Sequence, residues 1–72
     1  MDTPIKNITL ADAIKLVADR YVTTPGLRTF YGDRERAIRA VAGELVAEKI
    51  IPPDMALAAA DGALKVITRG AP

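Results

Sequence analysis

The run Ile51-Pro52-Pro53-Asp54 constrains this 72-residue chain more than any other feature. A proline pushes the residue before it out of the α region, so a helix arriving from the N-terminal side ends there. Pro53 suits the first turn of a new helix, and Asp54 favours the positive end of its dipole. Both flanks are apolar at helical spacing. Ile38, Val41, Ala42 and Leu45 form a stripe before the break, and Leu57, Ala60, Leu64 and Ile67 form one after it. The pattern predicts helices over about 34–51 and about 54–68, folded into an antiparallel hairpin by the short connection.

A third helix is expected over about 10–22, packed across the hairpin. Thr9 can cap it, with Asp12 three residues on, and Leu10, Ile14, Val17 and Tyr21 share one face. Between it and the hairpin, Pro25-Gly26 has two readings. Either it centres a type II turn, or Thr24 caps a short helix over about 25–31 with Pro25 in the first turn. Gly32 stops that segment and Asp33 caps the next. Residues 1–8, with Ile5 and Ile8, read as an extended arm. The fold class is therefore all-α: one small helical domain over 1–72.

Composition narrows what such a domain can do. The chain contains no Cys, His, Ser, Trp or Gln. It lacks a thiolate, an imidazole for proton transfer near neutral pH, a serine nucleophile and the usual ligands of zinc. A non-enzymatic protein without cofactor or metal is expected. Net charge is +1, so no general polycation exists for nucleic acid, and no apolar run approaches a membrane span. A cytoplasmic protein is the default.

Self-association is the expected source of extra stability. A core in a chain of this size supplies only ~3–5 kcal/mol, and there is no disulfide to add to it. The third hairpin residue set supports this: Met55, Ala59 and Val66 widen the apolar arc of the last helix past what two partners cover, and Leu16 stands off the stripe of the first. These four residues are the expected oligomer contacts, in a homodimer at the simplest. Ala40, Gly43 and Ala47 form a strip of small residues that would suit close approach of another helix. Glu44 and Glu48, one turn apart, read as a solvated face.

All three aromatic residues lie between Tyr21 and Tyr31, and arginines surround them. Arginine forks bind phosphate and carboxylate, and aromatic faces stack on bases or pack against partner proteins. Arg28, Phe30, Tyr31, Arg34, Arg36 and Arg39 are therefore the candidate partner- or ligand-binding residues. The competing reading places Phe30 in the core and leaves Arg36 and Arg39 on a solvated helix face. A DNA-binding regulator working through Arg28–Arg39 is a further alternative, opposed by Glu35, Glu44 and Glu48 on the same helix.

The stretch Ile38-Arg39-Ala40-Val41-Ala42-Gly43-Glu44-Leu45, with Pro52 or Pro53 at the bend and Ile67-Thr68-Arg69 near the end, resembles the helical-hairpin domain of phage proteins that sequester cyclic nucleotide immune signals. The resemblance covers about half the chain. It implies an oligomeric hairpin holding a phosphate-bearing ligand. That family's aromatic-Ala-Asn-Ala signature is missing here and the second arm is shorter, so no ligand-binding residue carries over. The expectation from the residues themselves is a binding or regulatory protein that acts through protein contacts, of the kind found among small accessory proteins of phages and bacterial operons. A small anionic nucleotide is its alternative ligand.

Overall fold

The computed structural model describes residues 8–70. Its helices are α1 (Leu10–Thr23), α2 (Leu27–Tyr31), α3 (Arg34–Ala47) and α4 (Ala56–Gly70), with a 3₁₀ turn over Pro53–Met55 leading into α4. There is no strand among the described residues, and the fold is all-α. Of the expected arm, only Ile8 is described; it is half-buried against the core. Ile5 lies outside the described residues.

Local chemistry starts the helices where the sequence places them. The Thr9 side chain accepts a hydrogen bond from the Asp12 N–H at 3.1 Å, and the Asp33 carboxylate accepts one from the Arg36 N–H at 2.9 Å. Each satisfies a backbone donor that the first turn leaves without a partner. Gly26 has φ 87° and ψ −7°, the third-residue geometry of a type II turn, and it leads directly into the short α2. The short helix is present but begins at Leu27 with Gly26 at its N-cap and no side-chain cap, so Thr24 does not cap it and Pro25 lies before it, in the turn.

α3 ends at Ala47, four residues before the expected boundary. The cause is Lys49, whose φ of 63° is left-handed. Its N–H donates to the Val46 carbonyl and the Ile50 N–H to the Leu45 carbonyl, each at 2.9 Å. These two bonds form a Schellman motif. Such motifs usually carry glycine at the left-handed position, and here a lysine holds it. The chain then passes through Ile51, which is fully buried, before reaching Pro52.

α4 packs against both α1 and α3. Arg34 at the start of α3 donates to the Thr68 hydroxyl near the end of α4 at 3.4 Å, as an antiparallel hairpin places them. The core comprises Ala13 and Val17 from α1, Ala37, Ile38, Val41, Ala42 and Leu45 from α3, Ile51, and Ala59, Ala60 and Ala63 from α4. Burying each of Ile38, Leu45 and Ile51 contributes about 2–3 kcal/mol.

The rotation of α4 differs from expectation. Its core face is built from alanines, while Leu57 is 73% exposed and Leu64 and Ile67 are half-buried. The reason is proximity. α1 crosses α4 so closely that a Cβ on Gly62 would run into the Ile14 side chain, with Cγ1 at 2.7 Å. Leucine does not fit between helices held that near, and alanine does. α1 shows a milder form of the same shift: Ala13 and Val17 are buried and Leu10 is exposed. Gly43, by contrast, has nothing within 4 Å of its Cβ position, so none of the described residues packs on the strip at that point.

Candidate functional site

The connection between α1 and α3 forms an elbow. α2 has five residues, none of them buried. Leu27 is half-buried against the core and anchors it. Phe30 lies on the outside with 79% of its surface exposed, which overturns the reading of this residue as core. Tyr31 is half-buried beside it, and the two rings meet edge to face at 4.8 Å and 87°. That contact stiffens the exposed ring without hiding it. Gly32, at φ 92°, supplies the left-handed turn that ends α2, and its N–H donates to the Arg28 carbonyl at 2.9 Å.

The candidate arginines do not converge on one point. Arg28 is exposed on α2. Arg34 reaches across to Thr68. Arg36 lies 3.9 Å from Asp33 on its own first turn, and Arg39 pairs with Glu35 at 2.8 Å. Arg39 and Glu35 instead join Leu57, Ala60, Asp61 and Leu64 around a hollow between α3 and α4. With a cavity volume of ≈ 20 Å³, it has room for about one water molecule. The elbow proper therefore consists of Arg28, Phe30 and Tyr31, with Arg34 and Arg36 along one side.

The expected oligomer contacts also separate. Ala59 is fully buried in the core, so it cannot contact a second chain; the close crossing of α1 and α4 accounts for this. Met55 is half-buried against the same core. Leu16 and Val66 are exposed, Val66 at 54%. The largest exposed apolar side chain of α4 is Leu57, which the sequence stripe assigns to the interior.

One polar feature escaped the sequence pattern. Arg20 on α1 bridges to Glu48 at 3.1 Å and to Glu44 at 3.4 Å. Both glutamates belong to the C-terminal end of α3, and Arg20 donates to each oxygen of Glu48. The pair is therefore a clamp on α1 instead of a free solvated face. Hydrogen bonding from Arg20 holds the Glu48 carboxyl below the usual carboxylate range, against a smaller opposing effect of partial desolvation. The Arg20 guanidinium is held more firmly protonated in turn, chiefly by Glu48. Only the i,i+4 spacing of two glutamates was visible in sequence; their partner lies 24 and 28 positions away.

Among the described residues no group of three acidic side chains could hold a metal ion, and no helix is long and apolar enough to cross a membrane. No protein-family model, curated protein or solved structure matches this chain.

Proposed function

We propose that this chain is a non-enzymatic binding and regulatory protein of the cytoplasm, acting through protein–protein contacts as a homo-oligomer, with the elbow as the surface it presents to a partner protein. Phe30 carries the reading. A large aromatic ring on a five-residue helix, outside the core and stiffened by Tyr31, adds nothing to the interior. Buried aromatic anchors flanked by arginine dominate the energetics of protein interfaces. Arg28 and Arg36 on the flanks favour a partner with acidic groups around an apolar pocket.

The test is capture from host lysate with Phe30→Ala, Arg28→Ala and the unaltered chain as baits. The expected result is a specific protein retained by the unaltered chain and lost with Phe30→Ala, at unchanged melting temperature. Equal capture by both baits would overturn the assignment of the elbow. Nucleotide-like ligands are the second reading, to which the arginine pattern lends less support because the forks point in separate directions. A large rise in melting temperature with a cyclic nucleotide would place that reading first.

A further inference from the structure

We infer that a second copy of this chain docks on the groove between α3 and α4, with Leu57 and Leu64 at its centre and a two-fold axis running along the groove. The inference rests on the homo-oligomer proposed above and names its face, which differs from the Met55–Val66 flank expected from sequence.

Leu57 and Leu64 are one heptad apart on α4, and both line the hollow with Ala60. Leu57 is 73% exposed, more than any other large aliphatic side chain among the described residues. On a domain this small, an unpartnered leucine beside a leucine-lined hollow is surface that association removes from water.

The charges on the rim say what covers it. α3 carries Glu35 followed by Arg39, paired at 2.8 Å, and α4 carries Asp61 followed by Lys65, paired at 3.5 Å. Each wall thus reads acid then base along its own direction. The helices run antiparallel, in a register set by Arg34 and Thr68. Arg39 and Asp61 line the same hollow, and Glu35 and Lys65 each lie four residues from them, toward the Arg34–Thr68 end. A two-fold axis along the groove brings the α3 wall of one copy against the α4 wall of the other. Arg39 of each copy then faces Asp61 of its mate, and Glu35 faces Lys65. Every contact occurs twice, as an isologous interface requires. The four groups sum to zero charge, so the patch has no preference for a strongly acidic or strongly basic partner and matches its own copy. All four side chains are more than half exposed.

Sedimentation equilibrium and native mass spectrometry of the full chain over a wide concentration range test this. The unaltered chain is expected to be a dimer, and Leu57→Glu a monomer with unchanged helical circular dichroism. Arg39→Glu and Asp61→Arg should each raise the dimer dissociation constant by about tenfold or more, because like charges then meet across the axis. The double variant should recover most of that loss. If Leu57→Glu stays dimeric, the face is wrong while the oligomeric reading survives. If the double variant is as weak as the singles, the two-fold arrangement is wrong. An unaltered chain that is monomeric at every concentration overturns both the face and the oligomer. None of these variants touches Phe30, so capture at the elbow remains a separate measurement.

Discussion

The bundle of α1, α3 and α4 and the elbow of α2 put the same kinds of side chain to opposite uses. On α4 of the bundle, small residues are buried and a leucine lies outside: Ala59, Ala60 and Ala63 face inward while Leu57 is exposed. In the elbow a phenylalanine is exposed and only Leu27 leans on the core. The contrast teaches that size and greasiness do not by themselves decide burial here. The space between helix axes decides it, and the elbow, packed on one side only, has no such space to fill.

Substitutions can sharpen that contrast. The largest effect is expected at Ile51, fully buried beneath the hairpin connection. Ile51→Ala should lower the unfolding free energy by about 2–5 kcal/mol in urea denaturation. A loss under 1 kcal/mol would mean the bundle is looser than its burial pattern implies. Gly62→Ala comes next. The added methyl collides with Ile14, whose χ1 is stiff within a helix. Overpacking of about 1–3 kcal/mol outweighs a helix-propensity gain of about 1 kcal/mol, so a net loss is expected. The same change made in an Ile14→Ala background should cost less than it does alone. Gly43→Ala, in open space on α3, should instead stabilise by up to about 1 kcal/mol. A loss at Gly43 would show that something covers the small-residue strip in solution.

Acid unfolding examines the clamp between α1 and α3. The Glu48 carboxyl is depressed in the folded state by Arg20. Its contribution is therefore complete above the ordinary glutamate value, and is lost as pH falls through the lower folded value. Arg20→Met should lower stability slightly above about pH 4.3, since exposed ion pairs contribute little, and the difference from the unaltered chain should close as pH falls below it. The smallest effect is expected at the elbow: Phe30→Ala should shift stability by no more than about 0.5 kcal/mol. A larger loss would make Phe30 a structural residue and break the comparison.

How much of this was legible in the sequence varies with the range of the interaction. Thr9 and Asp33 were legible as caps because capping is local chemistry within four residues. The hairpin was legible from Pro52 and Pro53 for the same reason. The end of α3 was misplaced because Lys49 takes a left-handed conformation that sequence rules reserve for glycine. The rotation of α4 was misread because its apolar arc is too wide to have one obvious centre, and a hydrophobicity stripe is drawn toward leucines. The clamp of Arg20 on Glu44 and Glu48 spans two helices, and no spacing rule reaches across that distance. Of the candidate site, the cluster of aromatics and arginines was visible. That Phe30 would stand outside, and that Arg39 would belong to the α3–α4 groove, depended on packing.

The alanine face of α4 has one further consequence. Ala59, Ala60 and Ala63 have no rotamers to exchange, so folding freezes no side-chain motion there. Two helices meeting through such a seam have a single way of fitting and no internal slack. Sliding α4 by even a fraction of a turn would set Ile14 against a methyl instead of the gap at Gly62. α1 and α4 are thus keyed in register by a missing atom.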